Sequence, residues 1–144
     1  MLGGWGTQLR AVAYDTAIPV PERIRRVLQP NLDLMLEHTT APVLWELFAL
    51  SQHEEFARKF AQTTYLDFRN VFVGMMAEVR PDLSSEQLMA HATLIVGMTE
   101  GLTVFIRPDD PAQLPVTYVR EAIDQFVDGF LARLMFQAPA PGAG

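Results

Sequence analysis

Cysteine is absent from all 144 residues, so neither a disulfide framework nor a thiolate site can be built. Period-two alternation is also missing: no run of four to eight residues reads as a β-strand. Basic charge is scarce. Lys and Arg total 11 against 17 Asp and Glu, a formal net charge of −6, whereas a chain that grips nucleic acid by itself presents a basic face. The one local basic cluster, Arg23, Arg25 and Arg26, is short and reads as a solvated helix face rather than a phosphate patch. The opening MLGGWGTQLRAVA has no basic region leading into a long apolar core, so a secretory signal is not expected.

Catalytic patterns are missing too. No Glu is followed three residues later by His, as a ferritin-like di-metal site requires. No pair of histidines stands at i, i+4, and there is no G-x-S-x-G elbow or glycine-rich phosphate loop. His38, His53 and His91 fall on separate segments. The expectation is a protein that is not an enzyme, with no catalytic residues, no metal and no cofactor. A helical enzyme using a histidine base would have His91 as its candidate.

What is present is helical spacing punctuated by proline. Apolar residues recur at three- and four-residue steps over 5–17, 22–38, 42–50, 54–80, 84–106 and 115–136. Pro30 predicts a kink or split in the second of these. Ser51 with Glu54, and Ser84 with Gln87, have capping-box spacing, which predicts a new helix or a sharp bend near His53 and a helix start at Ser84. In the last segment Arg120 and Asp124 stand four apart and are expected to pair. The fold class is therefore all-α, an antiparallel bundle of five to six helices. Residues 1–20 read as an N-terminal arm with a short helix, 21–137 as the main domain, and 138–144 (APAPGAG) as a disordered tail.

The most informative stretch is 88–106, LMAHATLIVGMTEGLTVFI, nineteen residues with Glu100 as their one formal charge. A membrane span is weighed against by Glu100, which would cost about 2.5–3.5 kcal/mol at a bilayer centre. A soluble helix this apolar over most of its circumference needs cover on more than one side, and the expected second cover is another copy of the chain. On a helical wheel Glu86, Ala90, Thr93, Gly97 and Glu100 form a strip of small or polar residues. Gly97 and Gly101, one turn apart, would admit a close backbone, either from the last helix or across a twofold. The opposite face holds His91, which reads either as a hydrogen-bonded core residue or as a polar anchor in a ligand cavity. Thr64 and Tyr65 are the other candidate polar groups. Large and adaptable side chains on the neighbouring predicted helices (Trp45, Phe48, Phe60, Tyr65, Phe68, Met75, Met76, Met98) read as plain core or as the lining of a small-molecule site.

Arg80-Pro-Asp-Leu-Ser-Ser-Glu-Gln-Leu88, then Ala92, Gly97 and Gly101 in a long apolar helix, a Pro/Asp loop and a final amphipathic helix resemble the C-terminal half of a tetracycline-repressor (TetR) family regulator. Phe56-Ala-Arg-Lys-Phe60 with Tyr65 and Phe68 is similar to the family's long helix before that loop. The resemblance implies an effector-binding and dimerisation domain of a cytoplasmic transcriptional repressor. Its pocket would draw on Met35, Trp45, Phe48, Tyr65, Phe68, His91 and Met98. Its homodimer interface would use Thr93, Gly97, Glu100 and Gly101 with Val119, Ile123, Phe126 and Phe130. The implied partners are a second copy and a small apolar or aromatic effector. DNA would be reached only through a helix-turn-helix head that these 144 residues lack, and no membrane is involved. The rival reading is a stand-alone helical carrier of apolar small molecules.

Overall fold

The computed structural model describes residues 2–36, 40–106, 112 and 114–136. They form six helices and, among the described residues, no strand: α1 Leu2–Ala13, α2 Val20–Leu36, α3 Thr40–Ser51, α4 Glu55–Val79, α5 Ser85–Phe105 and α6 Val116–Phe136. The all-helical expectation holds. The tail from 138 on, the Pro108–Pro111 loop and His38 lie outside the described residues, as do the side chains of residues 2–5, Trp5 among them.

The core forms where the apolar stripes meet. Leu9 and Ala13 of α1, Ile24, Val27 and Leu28 of α2, Phe68, Phe72, Met75 and Met76 of α4, Ala92, Ile95 and Val96 of α5, and Val127, Phe130, Leu131 and Leu134 of α6 make one buried cluster. The segment expected to be an N-terminal arm thus contributes to the same core as the rest. α4 and α5 run antiparallel across a short turn and pack along their lengths, with α2 laid against both. α5 is the one described helix long and apolar enough to cross a membrane, and 33% of its apolar window is buried.

Several local expectations are revised. Pro30 does not split α2, which runs through it without a break. Proline inside a helix costs about 3 kcal/mol. Here its ring lies on the solvent face, while Ile24, Val27, Leu28, Leu32 and Met35 anchor the other side in the interior. The break near His53 and the new helix after it are present as expected, but the cap is not Ser51. Ser51 ends α3, where its hydroxyl donates to the Phe48 carbonyl at 2.7 Å, and the N-cap of α4 is Glu54, without a side-chain cap. Arg58 closes the junction instead, donating from Nε to the Ser51 carbonyl (3.0 Å) and from Nη2 to that of Gln52 (3.3 Å). A guanidinium is suited to the orphan carbonyls and negative dipole end of a finishing helix. The second capping box is present as expected: the Gln87 amide donates to Ser84 Oγ and the Ser84 amide to Gln87 Oε1.

Arg120 does not pair with Asp124. It reaches Asp33 on α2 at 2.7 Å, and Arg25 of α2 pairs with Asp128 of α6, so two cross-helix pairs hold α6 to α2. At the α4–α5 turn Arg80 grips Asp82 with both arms of its fork (2.8 and 2.7 Å) and extends its remaining nitrogen to the Leu134 carbonyl at 3.5 Å. α3 differs from the other helices: none of residues 42–51 is buried, and it rests mainly on α4.

Candidate functional site: a polar seam between α2, α4 and α5

Three polar side chains interrupt the apolar interior where α2, α4 and α5 meet. Asn31 lies on the buried stripe of α2 and donates through Nδ2 to Thr99 Oγ1 of α5 at 2.9 Å. Thr99, fully buried, passes its own hydrogen to the Val96 carbonyl at 2.8 Å. One residue on, Glu100 is half-buried and accepts from Tyr65 Oη of α4 at 3.0 Å. The Tyr65 ring stacks on Phe48 of α3, with centroids 5.9 Å apart and planes 20° from parallel. The order Phe48, Tyr65, Glu100 therefore leads from the exposed side of α3 to a carboxylate in the bundle.

Burial pushes the Glu100 carboxyl above its ordinary range, against the pull of hydrogen bonds from Tyr65 and Asn31. Burial, reinforced by the charge of Glu100, likewise raises the Tyr65 phenol. Both shifts share one cause: a desolvated acid with only neutral donors around it. Among the described residues no Lys, Arg or His pairs with Glu100. The other described carboxylates without an ionic partner, Asp15, Glu46, Glu54, Glu86, Glu121 and Asp124, are all exposed.

The expected pocket residues do not converge on one cavity. Phe48 and Tyr65 meet at the seam, with Trp45 one turn before Phe48 on α3. Phe68 packs edge-on against Phe72 at 5.1 Å and lines a different cleft, of about 200 Å³ between α1 and α4, with Leu9, Phe60, Thr64 and Val71. His91 points to α6, its ring edge-on to Phe130 at 6.1 Å. Met35 is buried and Met98 packs half-buried against the core. Of the residues expected at a twofold, Ile123 and Phe130 are buried in the protomer's own core, whereas Thr93, Gly97 and Phe126 are exposed and Gly101 and Val119 half-buried. A Cβ placed on Gly97 or Gly101 would meet nothing within 4 Å, so among the described residues neither glycine serves a close helix approach. Glu100 turns from the expected strip towards α4.

The Arg23, Arg25 and Arg26 cluster is dispersed into ion pairs. Arg23 is 2% exposed and forks onto both oxygens of Glu78 while Nη1 also donates to the Ala13 carbonyl at 2.8 Å. Arg25 is taken by Asp128 and Arg26 by Glu22. Among the described residues no group of three His, Asp or Glu could hold a metal ion. No family model, curated protein or solved structure matches the chain, so the site is interpreted from its own chemistry.

Asn31 and Thr99 were not singled out from the sequence, although a signal existed. Asn31 falls in the series Ile24, Val27, Leu28, Asn31, Leu32, Met35, and Thr99 follows Ala92, Ile95 and Val96 at helical steps. A polar residue inside an apolar stripe is buried with a partner or not at all.

Proposed function

We propose that these 144 residues are the effector-binding and dimerisation domain of a TetR-type transcriptional repressor. The observation that carries this reading is the outward face of α5. Ala90, Thr93, Leu94, Gly97, Gly101, Val104 and Phe105 follow one another along it without a charge, with Leu94 57% and Phe105 70% exposed. An uncharged strip of that length is unusual on a surface that faces water. Open space over Gly97 and Gly101 leaves room for a second helix to come close, and a twofold would use the same strip twice. Phe126 and Phe136 of α6, both exposed, would extend the contact. The effector would enter beside Phe48 and Tyr65 and meet the polar seam, a few placed polar groups in an apolar setting.

In this reading the effector shifts a population. It favours one arrangement of α3, α4 and α5, and through α5 biases the angle between two copies by no more than its differential affinity for the two arrangements. DNA readout, in the cytoplasm, would require a helix-turn-helix head beyond these residues. Sedimentation equilibrium at micromolar concentration tests the dimer. The expected mass is twice the 16.1 kDa of one chain, and the double substitution Leu94→Glu with Phe105→Glu should return it to one chain with circular dichroism unchanged. A wild-type chain that stays monomeric would remove the basis of the proposal.

A further inference from the structure

Glu100 is a half-buried carboxylate for which the described part of the protein supplies hydrogen bonds but no positive charge. Tyr65, which donates to it, is neutral, as is the nearby Asn31 amide. The charged groups on the helices around it are committed elsewhere or exposed to water. On α2, Asp33 is held by Arg120. On α4, Arg69 donates to the Tyr65 carbonyl and to Thr93 Oγ1. On α6, Arg120 and Asp128 are engaged with α2, and Glu121, Asp124 and Arg133 are exposed. On α5 itself His91 lies against Phe130. Leaving a carboxylate partly desolvated without a counter-ion is costly, and the cost is relieved either by a proton or by a cation from outside. The stacked faces of Phe48 and Tyr65 stand beside it, and aromatic faces attract cations.

We propose that Glu100, with Phe48 and Tyr65, is the binding site for the positive end of a lipophilic organic cation. The apolar part of the cation would lie against the aromatic rings and its charge would meet the free edge of the carboxylate. This rests on the effector-binding reading above and names the chemical class of the effector. Because the carboxyl holds its proton more tightly than an ordinary glutamate, capture of the cation releases that proton wherever Glu100 is still protonated, and binding weakens as the pH falls.

The test compares two isosteres, 4-(hydroxymethyl)phenyltrimethylammonium and 4-tert-butylbenzyl alcohol, which differ in one charge. Calorimetric titration of the full chain near about pH 8 should favour the cation by about tenfold, equivalent to ~1.4 kcal/mol. That preference should shrink towards about pH 5, with proton uptake by the buffer accompanying binding. Glu100→Gln, which keeps an acceptor for Tyr65, should erase the preference for the cation over its neutral analogue. Phe48→Leu, on a half-exposed side chain that the fold does not need, should weaken the cation by about threefold. Equal affinity for both probes, or a preference that survives in Glu100→Gln, overturns the cation proposal while leaving the effector-binding reading in place. Failure of both probes to bind overturns both, and the sedimentation result then stands as a separate measure of the dimer.

Discussion

Glu78 and Glu100 sit on neighbouring helices of the same bundle and meet opposite surroundings. Glu78, on α4, receives the whole fork of Arg23, and that hydrogen-bonded guanidinium holds its carboxyl below the ordinary carboxylate range. Glu100, on α5, receives a phenol, and burial drives it the other way. The first pair, completed by the Ala13 carbonyl, ties α1, α2 and α4 together and satisfies its charge internally. The second has, among the described residues, no ionic partner, and lies beside an aromatic stack. Perturbed carboxylates without a counter-ion are frequent at functional sites, so the structural tie at Glu78 contrasts with the ligand site proposed at Glu100.

The largest break in this contrast should come from Arg23→Met. It would strand the Ala13 carbonyl and leave Glu78 alone. A fully buried pair costs about 3–5 kcal/mol to break, but Glu78 is 44% exposed and regains water, so denaturant titration should register a loss of ~2–3 kcal/mol. Tyr65→Phe comes next. Removing one hydrogen bond to the carboxylate should cost about 1 kcal/mol near neutrality and leave the Phe48 contact in place. The smallest change, opposite in sign, is expected from Glu100→Gln. A glutamate with a raised folded-state pKa adds stability below its unfolded pKa and loses that contribution as pH rises through the folded value. The variant should therefore melt higher than wild type at neutral pH, with the gap closing in acid. Glu78 has the reverse sign: its contribution is present above the ordinary carboxylate range and disappears as pH falls through its lowered value. A Glu78→Gln chain should lose its deficit in acid, where Glu100→Gln loses its gain.

Much of the bundle was legible because periodicity is a backbone property. The six helices, the Ser84–Gln87 box and the apolar stripes of α2, α4 and α6 follow from spacing alone. The failures lie where a helical wheel gives no neighbour. The wheel grouped Glu100 with a strip of small or polar residues, but gave no sign of the Tyr65 hydroxyl that turns it inward. It put Arg120 within reach of Asp124, yet Asp33 on α2 offered a partner across the interface. It grouped Arg23, Arg25 and Arg26 by proximity in the chain, although side chains at successive positions point in different directions and find different acids. The split considered at Pro30 fails for a related reason: the local penalty is real, but tertiary burial of the opposite face outweighs it.

The thin anchoring of α3 has a dynamic consequence. Opening free energies within a native protein scale with the apolar contact that must be given up, and α3, with none of residues 42–51 buried, gives up the least. Its amides should exchange with deuterium well before those of α4 and α5, in a sub-global opening that releases the Arg58 latch and lifts Phe48 from Tyr65. Access to Glu100 would then be governed by how often one helix detaches, and Arg58→Ala should quicken exchange in α3 while leaving that of α5 unchanged.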